Sequence, residues 1–190
     1  LGEDKLHKYI KAFGFGEKTD IDLSGESVGI VREPGTWTVK SLPSISMGQE
    51  VAATPIQLIT AVAAIANGGW LMRPHLVDEI RDQEGNIVFK SAPEVIRRVV
   101  SFDTAREMTR MLTRVTERGG TGEKAVINGY SVAGKTGTAQ KKAAGGRGYS
   151  AEYFVSSFIG FVPSQDPRLI ILVVIDEPEG VSWGGSIAAP

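Results

Sequence analysis

The sequence predicts an α+β fold, in which antiparallel strands late in the chain pack with helices that precede them. Three observations support this class. The segments Ile56–Ile65 and Ala105–Val115 repeat apolar residues at helical spacing. Two apolar runs, 153–163 and 168–176, flank the turn residues 164–167, as in a hairpin. The length of 190 residues is sufficient for one domain with a buried core.

The first helix is predicted around Leu6–Phe13, where apolar residues recur at helical spacing. Gly14 and Gly16 follow and are expected to end it. The next segment, 17–43, is rich in Gly, Ser, Asp and Pro and predicts a loop with short extended pieces. A loop of this length favours a functional or capping segment.

The clearest helix signal begins at Thr54, a suitable N-cap residue, with Pro55 at the first helical position. The sequence Asn67-Gly68-Gly69 is expected to end this helix. Its apolar residues cover a wide surface, so we expect the helix to be central and buried. They are Ile56, Leu58, Ile59, Val62, Ala63 and Ile65.

A two-stranded ribbon is predicted from Leu76–Ile80 and Ile87–Phe89, which flank turn residues at 82–86. A further helix is expected over Asp103–Arg118, capped by Ser101 or Asp103. Its predicted inner stripe consists of Ala105, Met108, Met111, Leu112 and Val115.

Three strands are predicted in the last third of the chain. The strand 130–140 leads into a basic, glycine-rich stretch, 141–150, which predicts a mobile hairpin connection. The strand 153–163 follows. The run Arg168–Asp176 is nearly continuous in Leu, Ile and Val, which is typical of a central strand covered on both faces.

The composition excludes several kinds of function. A net charge of −1 gives no electrostatic case for nucleic acid or an anionic membrane surface. The chain has no Cys and only two His, and no spacing predicts a metal site, so we expect neither metal nor cofactor. The longest apolar run, 169–175, is far shorter than the roughly 20 residues that cross a bilayer.

The stretch Tyr130–Gln140 carries the most chemistry. It presents the cation Lys135, then Thr136, Gly137 and Thr138. Successive side chains on a strand alternate between faces, so Lys135 and Gly137 would share one face and the two threonines the other. A cation, two hydroxyls and an open backbone at glycine suit a substrate carboxylate and a developing oxyanion. The alternative is an ordinary basic strand end.

Further motifs accompany this strand in a fixed order. They are Gly14-Phe-Gly16, Ile21-Asp-Leu-Ser-Gly-Glu26, Ser46-Met-Gly-Gln49 before Thr54-Pro-Ile-Gln57, Ala66-Asn-Gly-Gly69, Gly134-Lys-Thr-Gly-Thr-Ala139, and Gly184-Gly185 before Ala188-Ala-Pro190. In this order they resemble the transpeptidase domain of class B penicillin-binding proteins, of the septum or spore type. The resemblance covers essentially all 190 residues.

The resemblance implies a peptidoglycan D,D-transpeptidase, which cross-links stem peptides by serine acyl transfer and binds β-lactams. By motif, Lys135 would belong to the proton and electrostatic network. Thr136 and Thr138 would bind the donor carboxylate, with the Thr138 N–H as an oxyanion donor. Trp183 would line the cleft, although a packing tryptophan is the alternative, and the neighbouring Ser182 departs from a two-aromatic pattern. Gln49 could bind near the cleft or pack its own loop.

Two family elements are missing. No serine in the chain is followed by lysine three residues later, and none by asparagine two residues later. We therefore expect residues 1–190 to be one partial transpeptidase domain, truncated at both ends and inactive alone. The Ser-x-x-Lys and Ser-x-Asn region would lie upstream and a terminal helix downstream. The strand 168–176 would then present an apolar edge, and the chain would self-associate or need a complementary fragment.

For the whole protein, the resemblance implies the extracytoplasmic face of the cell membrane, with an N-terminal anchoring helix. Its implied partners are peptidoglycan stem peptides, β-lactams, and proteins of cell division or cell-wall synthesis. Two alternatives remain open. One is a class D-like β-lactamase or β-lactam sensor. The other is a non-catalytic scaffold domain in a cell-division complex.

Overall fold

The computed structural model describes residues 2–143 and 148–190. The α-helices are α1 (Glu3–Ala12), α2 (Ser41–Ser46), α3 (Pro55–Ala66), α4 (Phe102–Arg114) and α5 (Gly184–Ile187). The strands are β1 (Trp70–Met72), β2 (Glu79–Arg81), β3 (Ile87–Lys90), β4 (Val95–Arg98), β5 (Ala133–Lys142), β6 (Tyr149–Val162) and β7 (Leu169–Asp176). Short 3₁₀ turns lie at Pro34–Thr36 and Glu123–Ala125.

Within the described residues, the strands form three antiparallel sheets, as the α+β class predicts. β5, β6 and β7 make a three-stranded sheet in that order, and β2 pairs with β3 as the predicted ribbon. The pairing of β1 with β4, which aligns Leu71 with Arg97, was not predicted. The α2 helix was not predicted either, and it begins inside the segment expected to be a loop.

Helix α3 has the predicted boundaries because its N-terminus is capped locally. Thr54 Oγ1 accepts a hydrogen bond from the Gln57 N–H at 3.2 Å, and Gln57 Oε1 accepts one from the Thr54 N–H at 2.9 Å. This is a capping box. The Gln57 amide also donates to the carbonyl oxygens of Glu17 and Val28, so the long loop is tied to the helix.

The expectation that α3 is buried is met on one face only, and its large apolar residues are not on that face. Its buried residues are Gln57, Thr60, Ala61 and Ala64, which share one helix face, while Ile56, Leu58 and Ile59 are half-buried. Small residues let the helix approach its neighbours closely, and the larger side chains lie along the flanks. The apolar surface is therefore only partly covered by the described residues.

The predicted inner stripe of α4 is also partly wrong. Ala105 is buried, but Met108 and Met111 are exposed. Thr109 and Thr113 face the body of the protein more than the methionines do. Their hydroxyls donate hydrogen bonds to the helix carbonyl oxygens of Ala105 and Thr109, at 3.0 and 2.9 Å. The inward-facing hydroxyl groups are therefore satisfied within the helix.

Strand β7 lies at the edge of its sheet in the described part of the chain, so it is not the central strand that was expected. It is also not covered on both faces, because five of its eight residues are exposed. Leu169 and Ile171 are 62% and 59% exposed. The apolar edge expected for this segment is therefore present.

The strands β5 and β6 extend further into the predicted connection than expected, since Lys142 pairs with Tyr149. The centre of that connection, 144–147 with Arg147, lies outside the described residues, so its predicted mobility stays a prediction. Within the described ranges, the helices are all too short or too polar to cross a bilayer.

Candidate active site

The predicted Lys-Thr-Gly-Thr sequence lies on β5, an edge strand. β5 pairs only with β6 in the described part of the chain, with Gly137 opposite Ser157 and Thr138 opposite Ser156. Its other edge borders an open cleft. Because the cleft lies along a strand edge, side chains from both faces of β5 reach it.

The cleft has a volume of about 840 Å³ and brings four of the predicted residues together. Its lining consists of Gly120, Thr121, Glu123, Lys124, Lys135, Thr136, Thr138, Trp183, Gly185 and Ser186. Three chain segments thus meet here: β5, the turn that follows α4, and the start of α5.

Lys135 is exposed, and its ammonium donates a hydrogen bond to the carbonyl oxygen of Thr136 at 2.7 Å. No carboxylate lies within ion-pair distance of Lys135 among the residues that the structure describes. No carboxylate of the described residues pairs with this positive charge, so it is available to an anion in the cleft.

The two threonine hydroxyls are held by different partners. Thr136 Oγ1 donates to Thr121 Oγ1 at 3.1 Å. Thr138 Oγ1 accepts from the backbone N–H of Gly184 at 3.0 Å. A hydroxyl that accepts a hydrogen bond keeps its own proton, so Thr138 can donate to a ligand in the cleft.

Glycines allow the cleft walls to approach each other. A Cβ at Gly184 would overlap the carbonyl oxygens of Gly137 and Ser157, and one at Gly185 would overlap the carbonyl oxygen of Thr121. A Cβ at Gly137 would overlap the Ser157 hydroxyl. Gly184 and Gly185 are therefore required for this close packing, because backbone carbonyls cannot move aside, whereas the Ser157 hydroxyl opposite Gly137 can rotate.

Trp183 lies at the cleft with 71% of its surface exposed, so it does not pack into a core of the described residues. The segment before it is anchored, because the buried Ser156 hydroxyl donates to the Ser182 carbonyl oxygen. The backbone is thus held while the indole stays free to contact a ligand.

Gln49 does not line this cleft. It is half-buried in the loop after α2, and its N–H donates to the Ser44 carbonyl oxygen at 3.0 Å. The backbone N–H of its neighbour Glu50 donates a hydrogen bond to the Tyr149 hydroxyl. Tyr149 pairs with Lys142, at the far end of β5 from the cleft. The structure therefore does not bring Gln49 together with Lys135, and its binding role stays a prediction.

Sequence reasoning missed the turn after α4, which contributes Thr121, Glu123 and Lys124 to the cleft. The only sequence signal was a threonine between glycines, in Gly119-Gly120-Thr121-Gly122. Glu123 holds this turn, since its carboxylate accepts a hydrogen bond from the Gly119 N–H at 2.9 Å.

A metal ion has no evident site in the described residues, where no group of three or more His, Cys, Asp or Glu side chains converges. The charged groups that line the cleft are the ammonium groups of Lys135 and Lys124 and the carboxylate of Glu123.

Comparison with known proteins identifies the family. The model of the penicillin binding protein transpeptidase domain matches residues 1–190. Stage V sporulation protein D of Bacillus subtilis is 42% identical to this chain, in an alignment that covers all of this chain and 29% of that protein. The probable peptidoglycan D,D-transpeptidase PenA of Neisseria gonorrhoeae is 31% identical, in an alignment that covers all of this chain and 31% of that protein.

Solved structures agree. Penicillin-binding protein 3 of Mycobacterium tuberculosis, complexed with ampicillin, matches with a TM-score of 0.87 and 32% identity, over 94% of this chain and 40% of that one. The transpeptidase domain of penicillin-binding protein 3 from Burkholderia pseudomallei matches all of this chain and 54% of its own, with a TM-score of 0.84 and 30% identity. The chain spans about a third of the length of the curated relatives it matches. It belongs to the family of penicillin binding protein transpeptidase domains.

Proposed function

We propose that this chain forms one wall of the active-site cleft of a peptidoglycan D,D-transpeptidase. The observation that carries the proposal is the meeting of Lys135, Thr136, Thr138 and Trp183 in one cleft. An ammonium group beside two hydroxyls suits the terminal carboxylate of a stem peptide, and the same groups suit the anionic group of a β-lactam.

In the proposed reaction, a serine hydroxyl attacks the carbonyl carbon of the penultimate D-alanine and the terminal D-alanine leaves. An amine of a neighbouring strand then attacks the acyl-enzyme and releases the serine. Thr136 and Thr138 bind the donor carboxylate, and Lys135 contributes positive charge and proton transfer. The N–H of Thr138 stabilises the oxyanion.

The nucleophile is proposed to come from a segment outside these 190 residues. Two observations support this: none of the serines here is followed by lysine three positions later, and the chain spans about a third of its relatives. Residues 1–190 would then be a partial domain. The complete protein would act at the extracytoplasmic face of the membrane, anchored by a helix outside this chain, with cell-division or cell-wall synthesis proteins as partners.

Fluorescent penicillin tests the proposal. The 190-residue chain and the full-length protein that contains it are incubated with the reagent and separated under denaturing conditions. We expect a covalent label on the full-length protein, blocked by ampicillin, and none on the chain alone. A stable label on the chain alone would refute the external nucleophile.

The same experiment separates the alternative functions. Failure to label the full-length protein would refute the transpeptidase and favour a scaffold domain. Rapid loss of the label, measured as deacylation, would favour a β-lactamase.

A further inference from the structure

We propose that Thr121 is a positioning residue that orients the carboxylate-binding hydroxyl of Thr136. The inference rests on the proposed function and deepens it. Thr121 belongs to the turn after α4, outside the strand motif that carries the predicted site residues.

The hydroxyls of Thr121 and Thr136 are hydrogen-bonded to each other. Thr136 Oγ1 lies 3.1 Å from Thr121 Oγ1, and it has no other hydrogen-bond partner among the described residues. A free threonine hydroxyl rotates among several orientations. Thr121 thus restrains a group that would otherwise have to be ordered when the substrate binds.

The pair can serve a bound carboxylate without breaking apart. A threonine hydroxyl has one proton and two acceptor lone pairs. When a carboxylate enters, the Thr136 proton can turn toward it, and Thr121 can then donate its own proton to Thr136 Oγ1. The hydrogen bond between the threonines persists with its direction reversed, and Thr136 donates to the ligand.

Thr138 shows why this arrangement is needed. Its hydroxyl is oriented by the rigid backbone N–H of Gly184 at 3.0 Å. Among the described residues, no backbone N–H donates to the Thr136 hydroxyl, and the Thr121 side chain orients it instead. Both hydroxyls in the cleft then present a proton to the same anion.

The position of Thr121 is set by backbone contacts and not by its hydroxyl. The Gly122 N–H donates to the Val115 carbonyl oxygen at 2.8 Å, and the Gly119 N–H donates to the Glu123 carboxylate. The Thr121 carbonyl oxygen packs against Gly185, where a Cβ would not fit. A substitution that removes only the hydroxyl should therefore leave the turn in place.

The test uses T121V, which keeps the shape of the side chain and removes the hydroxyl, in the full-length protein. T121S keeps the hydroxyl and serves as the matched control. The acylation rate constant is measured with benzylpenicillin and with its methyl ester, which lacks the negative charge. We expect T121V to slow acylation by benzylpenicillin about threefold to tenfold, the worth of one hydrogen bond, and T121S to stay near wild type.

The ester separates positioning from support of the fold. We expect T121V to slow acylation by the ester by less than about twofold, because a neutral acceptor gains less from an oriented donor. Equal losses with both compounds, or no loss with either, would overturn the inference. If the wild-type protein is not acylated at all, the proposed function itself fails, which is a different result.

Discussion

The backbone N–H of Gly184 donates a hydrogen bond to Thr138 Oγ1 at 3.0 Å, and this contact joins the start of α5 to the strand β5. The two residues are 46 positions apart in the chain. The contact requires a glycine, because a Cβ at residue 184 would overlap two carbonyl oxygens of the sheet.

Gly184→Ala should therefore destabilise the fold. Overpacking against backbone atoms typically costs about 1–3 kcal/mol of unfolding free energy. The measurement is urea unfolding of the full-length protein that contains this chain. Gly35→Ala is the matched control, since nothing lies within 4 Å of a Cβ there, and its effect should be small. Equal stability of the two variants would contradict the packing that we describe.

Lys135→Gln should slow acylation of the full-length protein by penicillin. If Lys135 takes part in proton transfer and charge stabilisation, the loss should be at least about a hundredfold. Lys124→Gln is the control, because Lys124 lines the same cleft and carries the same charge. Similar effects of both substitutions would mean that only the net charge of the cleft matters.

Asp22→Asn should remove a pH-dependent part of the stability. The Asp22 carboxylate accepts hydrogen bonds from the backbone N–H groups of Val77 and Leu76, both at 2.8 Å. These hydrogen bonds lower the pKa of Asp22 from its ordinary value of 3.8. A lowered pKa means that the stabilisation is present above pH 3.8 and is lost as the pH falls through the pKa of the folded state.

Thermal unfolding at a series of pH values checks this. Wild type should be more stable than Asp22→Asn near neutral pH, and the difference should shrink in acid. Asp78→Asn, at the exposed position next to Val77, is the control. A difference that stays constant from neutral to acid pH would contradict the role of the two backbone donors.

Ile171→Lys should reduce self-association of the isolated chain. Ile171 is 59% exposed on β7, the free apolar edge of the sheet, and a lysine on an edge strand opposes pairing with another strand. Sedimentation velocity should show larger species for wild type and more monomer for the variant. Val39→Lys is the control, because Val39 is 96% exposed and lies in the turn before α2, outside the strands. A monodisperse wild-type monomer would refute the expected self-association.

Sequence reasoning was most successful where the determining contacts are local. The boundaries of α3 follow from Thr54, Pro55 and Gln57, which interact within one turn of the helix. The order of motifs around Lys135 was sufficient to recognise the family, and the two apolar runs around the turn residues 164–167 predicted the antiparallel β6–β7 hairpin.

The sequence by itself therefore determined the class, the family and the strand that carries Lys135. Only the tertiary structure decided that Met108 faces solvent, that β1 pairs with β4, and that Thr121 meets Thr136. Such choices depend on contacts between segments far apart in the chain, and each is decided by how several elements pack together. No local pattern around one residue specifies them, since its hydrophobicity and spacing are compatible with more than one neighbour.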